Sequence, residues 1–159
     1  MSTEALPQSP MEMRELIRSG KWDRLTSGFQ ESEFIVIGAR PSVGKTALAL
    51  SMATNIAIRA KDRLAVGLFT LEMSSFAVMQ RVLASEARID STRIRSGLLK
   101  PSDFNKITEA AGRIYEAPLY IDDTPGLRLL DLRAQARRMR ARNDVRIIFI
   151  DYLTLVTSE

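Results

Sequence analysis

Apolar residues recur in two rhythms along this chain. The run FIVI at positions 34–37 is uninterrupted, whereas from Lys45 to Ala60 (KTALALSMATNIAIRA) apolar positions fall three and four apart. An unbroken, β-branched run reads as a strand covered on both faces, and the three-four spacing as a helix with one apolar face. The alternation continues. RLAVGLFTL (63–71) predicts a second strand and SSFAVMQRVLASEA (74–87) a helix. PSDFNKITEAAGRIYEA (101–117) predicts another helix, with Pro101 and Ser102 or Asp103 as start signals. PLYIDD (118–123) reads as a third strand, 124–143 as a turn and an Arg-rich helix, and VRIIFIDYLTLV (145–156) as a fourth strand. Strands and helices taking turns predict an α/β fold, a parallel sheet with helices packed on its faces.

Upstream of this pattern, residues 1–10 carry two prolines among small polar residues and read as a flexible lead-in. MEMRELIRSG (11–20) reads as a short helix ended by Gly20, and KWDRLTSGFQESE as a polar connector. The expected division is a lead-in over 1–22 and one globular domain over 23–159.

Composition narrows the chemistry. With 45% hydrophobic and 26% charged residues the chain is ordinary for a globular protein, and no apolar stretch reaches the ~20 residues that span a bilayer. The N-terminus lacks the basic start and apolar segment of a secretory signal. There is no Cys, hence no disulfide framework and no thiolate metal site, which fits a cytoplasmic setting. There is no His, so the usual general base is missing and any catalysis falls to carboxylates, Lys, Arg or a bound metal ion. The net charge of +4 is a mild pointer to a polyanion, but Arg128, Arg133, Arg137, Arg138, Arg140, Arg142 and Arg146 fall in one short segment. That segment is open between a solvated helix face, a nucleic-acid contact and a contact with an acidic neighbour.

The stretch GARPSVGKT follows the first predicted strand and opens the first predicted helix. Its Gly44-Lys45-Thr46 fits the end of a phosphate loop, with Ala39 at the first position where the strict pattern has Gly. A loop of small residues lets successive backbone N–H groups point inward as an anion nest, and the helix behind it adds its positive dipole end. Lys45 would reach the β- and γ-phosphates of a nucleotide and the Thr46 hydroxyl would ligate Mg²⁺. A carboxylate on the metal side is then required, and RIIFIDY places Asp151 at the carboxyl end of a buried strand, where ligands bind in open α/β sheets. Glu72 ends the strand GLFTLE; it could orient an attacking water or only favour the start of the next helix. Asp122 and Asp123 could touch the nucleotide or cap the turn before Pro125.

Taken together, LTSGFQ, ARPSVGKTALAL, FTLEMS, QRVLASEARID, RIRSG, APLYIDDTPG, LRAQARRMRAR and IIFIDYLTL resemble, in order, bacterial and phage replicative DNA helicases of the DnaB type, over roughly residues 23–156. FTLEMS and YIDDTPG set the chain apart from recombinase-type relatives. The resemblance implies a RecA-like P-loop ATPase core using ATP and Mg²⁺, assembled as a ring hexamer that translocates on single-stranded DNA, with primase and a helicase loader as partners. It maps the nucleotide loop onto Ala39, Arg40, Pro41, Ser42, Val43, Gly44, Lys45 and Thr46, the catalytic glutamate onto Glu72 and the metal-side aspartate onto Asp151. The family continues beyond the Asp151 strand with a sensor strand that inserts between the cradle strand and the Asp151 strand, DNA-gripping loops and an arginine that reaches a neighbour's γ-phosphate. None of these is found up to Glu159, so the sheet is expected to be incomplete on its C-terminal side. The alternative is a nucleotide-binding or ring-interaction module with no helicase activity of its own.

Overall fold

A computed structural model of the chain describes residues 30–38, 40 and 43–153. The chain divides into two compact units, Met1–Leu48 and Ala49–Glu159. The expected lead-in, the 11–20 helix and the boundary after residue 22 lie outside the described residues.

In the first unit, the Glu33 carboxylate accepts from the Gln30 N–H at 2.9 Å and fixes the turn before the apolar run. The run itself departs from expectation. Residues 34–37 form no strand, and Phe34 and Val36 are 75% and 70% exposed. The FIVI sequence has the side chains of a buried strand, but a strand also needs a neighbour to pair its backbone groups. No described strand pairs with this segment. Beyond it, α1 (Lys45–Thr54) begins directly after Gly44, whose carbonyl accepts from the Leu48 N–H at 2.9 Å and closes the first helical turn.

In the second unit, α1 passes into a π-helical turn over Asn55–Arg59, and the remaining elements follow in order. They are β1 (Ala65–Thr70), α2 (Ser75–Ala87), α3 (Ser91–Ser96), α4 (Pro101–Tyr115), β2 (Leu119–Asp122), α5 (Leu129–Asn143) and β3 (Val145–Asp151). The sheet has the order β2-β1-β3, and both pairings are parallel. β1 therefore lies in the middle, covered on both faces, which is why it reads as the continuous apolar run AVGLF.

Alternate residues of β1 feed two cores. Val66 and Leu68 pack with Leu50, Ala53 and Ile58, with Val78 and Val82 of α2 and with Ile114 of α4. Phe69 packs on the other side with Leu127 and Leu132, joined by Met139 and Ile150. Helices cover both faces, as the sequence predicts. A third cluster, Ala87, Ile89 and Ala110, ties α2 to α4.

One helix escaped the sequence pattern. α3 is six residues long, too short to display a period, and it is defined by its ends. The Asp90 carboxylate accepts from the Thr92 N–H at 2.7 Å, and Gly97 (φ +72°) terminates the helix in the left-handed region. The next helix starts at the predicted proline. Asp103, three residues after Lys100, accepts from the Lys100 N–H at 2.8 Å and pairs with Arg93.

Candidate functional site

The phosphate-loop residues belong to the first unit. Ala39, Pro41 and Ser42 lie outside the described residues; Arg40 and Gly44 are exposed, and Val43, Lys45 and Thr46 are half-buried. Gly44 has φ +103°, a backbone conformation that an L side chain rarely adopts. Lys45 is the first residue of α1 and Thr46 the second. The first turn of α1 contains no acidic residue, so the positive end of its dipole is not offset by a carboxylate of its own. A turn that only glycine adopts easily, followed by an undefended helix N-terminus with a Lys and a hydroxyl, is an arrangement suited to an anion.

The acidic residues belong to the second unit, and there the sheet brings two of them together. Thr70 at the end of β1 is in register with Asp151 at the end of β3, and the Leu71 N–H donates to the Asp151 carbonyl at 2.9 Å. Glu72 thus leaves β1 beside the residue where β3 ends, so both carboxylates sit at the carboxyl edge of adjacent parallel strands. Asp151 is buried and Glu72 is exposed. The loop carrying Glu72 is short and well anchored: Leu71 packs against the Phe69 core and Met73 against the Leu68 core, leaving Glu72 between them turned to solvent.

Asp122 and Asp123 each accept a hydrogen bond from a backbone N–H. The Asp122 carboxylate accepts from the Thr124 N–H at 3.0 Å, closing the turn before Pro125. Asp123 reaches across to α2 and accepts from the Ser75 N–H at 2.7 Å. That backbone hydrogen bond to Ser75 holds the Asp123 carboxyl below its usual pKa of 3.8. Sequence reasoning did not find this contact because Ser75 and Asp123 are far apart along the chain.

Arg133, Arg137, Arg138, Arg140 and Arg142 on α5 are all exposed, and none forms a hydrogen bond or ion pair with another described residue. Arg128 differs: it pairs with Asp131 at 2.8 Å, and that hydrogen bond raises its pKa. Among the described residues these five side chains face solvent.

Among the described residues no group of three or more His, Cys, Asp or Glu side chains is gathered to cage a metal ion. Mg²⁺ keeps several waters and takes one or two protein oxygen ligands together with substrate phosphates. A hydroxyl at Thr46 and a carboxylate at Asp151 are the hard oxygen donors it prefers. Among the described residues no helix is long and apolar enough to cross a membrane.

Comparison with known proteins gives a consistent result. Residues 18–159 match the family described as "DnaB-like helicase C terminal domain". The chain is 56% identical over 137 residues to "Replicative DNA helicase DnaB" of Treponema pallidum (strain Nichols), an overlap of 86% of this chain and 31% of that protein. It is 46% identical over 134 residues to the protein of the same name from Geobacillus stearothermophilus, covering 84% and 29%. It therefore spans about three-tenths of the length of these relatives. Among solved structures, one described as an ATPase domain superimposes with a TM-score of 0.79 at 28% identity, over 92% of this chain and 56% of that one. A structure described as a DnaB-like replicative helicase and its interactions with primase also gives 0.79, at 26% identity over 98% and 40%. The parallel sheet with helices on both faces is thus a partial form of the RecA-like ATPase fold seen in DnaB-like helicases, and the chain belongs to the DnaB-like helicase C-terminal domain family.

Proposed function

We propose that this chain is the ATP-binding part of the motor domain of a replicative DNA helicase, which couples ATP hydrolysis to translocation on single-stranded DNA and to unwinding of the duplex. The observation that carries the reading is the pair of carboxylates, Glu72 and Asp151, at the ends of adjacent parallel strands in a chain that also holds Gly44-Lys45-Thr46 at the head of a helix. Membership in the family supports it.

In this reading the backbone of Ala39, Arg40, Pro41, Ser42, Val43 and Gly44 wraps the phosphates, and the Lys45 ammonium neutralises the β- and γ-oxygens. Thr46 and Asp151 are the metal-side residues. Mg²⁺, when bound, would supply charge neutralisation to the nucleotide phosphates. Glu72 accepts a proton from the attacking water and orients it toward the γ-phosphorus; its exposure in this chain leaves it accessible to that water. The family further supports ATP as nucleotide, self-assembly as a ring hexamer, single-stranded DNA, primase and a loader as partners, and a cytoplasmic setting.

A second reading is favoured by one observation. Among the described residues the sheet has three strands and residues 34–37 pair with none of them, which is compatible with a nucleotide-binding or ring-interaction module with no helicase activity of its own. Glu72→Gln tests the main reading. It keeps nucleotide affinity and lowers ATP turnover by about 100-fold or more, the range expected when a water-orienting group is removed. Turnover within twofold of wild type would remove Glu72 from the mechanism.

A further inference from the structure

The loop that carries Glu72 is held at both ends by hydrogen bonds, and the geometry points to Thr70 as the residue that positions Glu72, with Asp123 as a second tether. This inference rests on the role proposed for Glu72. Thr70 is the last residue of β1 and is 3% exposed. Its hydroxyl Oγ1 donates to the Met73 carbonyl at 2.8 Å, closing a four-residue turn with Glu72 inside it. The backbone side of the same turn is docked on β3 through the Leu71 N–H and the Asp151 carbonyl. At the far end, Ser74 caps α2 by accepting from the Ala77 N–H, and the Ser75 N–H is taken by Asp123 at 2.7 Å.

Each of these bonds removes a freedom that the loop would otherwise have. A free β-to-α connection of this length could rotate the Glu72 peptide, and a displacement of about 1 Å at a catalytic group can lower a rate by ~100-fold. Thr70 is the informative member of the set. It is buried in the strand, has no route to solvent for its own hydroxyl, and spends that hydroxyl on the turn rather than on the sheet ladder. A Val in its place keeps the shape and removes the hydroxyl, so a purely structural role predicts losses of stability, affinity and turnover together, from one buried hydrogen bond. A positioning role predicts a selective loss. The carboxylate of Asp123 acts from the end of β2, so the loop is braced by all three strands of the sheet.

The test uses the full chain with Thr70→Val, Thr70→Ser and Glu72→Gln, read by amide hydrogen exchange, thermal unfolding, affinity for a non-hydrolysable ATP analogue and ATP turnover. Thr70→Val is expected to speed exchange at Leu71–Ser75 at least tenfold while Val66–Phe69 stay protected. Analogue affinity stays near wild type, the melting temperature falls by about 2–4 °C at most, and kcat falls about tenfold at unchanged KM. Thr70→Ser restores both exchange and kcat to within about twofold. Unchanged exchange at Leu71–Ser75 in Thr70→Val overturns the proposal whatever the turnover. So does a parallel loss of stability, affinity and turnover that Ser does not rescue. If Glu72→Gln leaves turnover intact, the reading of Glu72 fails instead, and exchange still decides whether Thr70 holds the turn.

Discussion

Gly67 shows how much one missing atom can position. It lies in the middle of β1 on the face that receives α5, and a Cβ built there would sit 3.1 Å from the Met139 sulfur and 3.3 Å from Val145 Cγ1. The helix can lie this close to the sheet because there is no side chain beneath it. Gly67→Ala is expected to destabilise the chain by about 1–2 kcal/mol through overpacking, with Met139 giving way first. A denaturant midpoint at or above wild type would contradict this packing. Gly44, Lys45, Thr46 and Asp151 are proposed from local pattern, whereas pattern leaves Glu72 open and the family resemblance assigns its role. The contacts of Thr70 and Asp123 are not legible there, because their partners are set by the turn and by the sheet, neither of which a linear pattern displays.

At the scale of elements, three helices begin on a carboxylate. Asp90 accepts from Thr92, Asp103 from Lys100, and Asp123 from Ser75, and each of these backbone hydrogen bonds holds its carboxyl below the usual 3.8. Because the folded pKa values are depressed, the stabilisation is fully present above the unfolded value. It is lost as pH falls through the lower folded values. Stability should therefore be flat down to about pH 5 and decline below about pH 4. Asp103→Asn should shallow that decline, since it removes one of the three linked protons. A urea midpoint followed from about pH 6 to about pH 2.5 measures the slope across that range; an identical slope in the variant would separate Asp103 from it.

The elements also show where pattern reading stops. The long helices follow from apolar spacing, and β1 follows from its unbroken apolar run. α3 has too few residues for a period and is visible only through Asp90 and Gly97 at its ends. FIVI has strand composition without strand structure, because pairing is a property of two segments and the composition of one cannot supply it.

For the whole chain, the partial parallel sheet is a form of the RecA-like ATPase fold, and the motor role is the proposal that family membership supports. The central claim is that Gly44, Lys45 and Thr46 form a working phosphate cradle in this chain. Calorimetric titration with Mg²⁺ and a non-hydrolysable ATP analogue, alongside Lys45→Ala, tests it most directly. The account predicts saturable binding by the wild-type chain that Lys45→Ala weakens at least tenfold, a loss of about 1.4 kcal/mol or more. Binding that is equal in the two proteins, or absent from both, would contradict it.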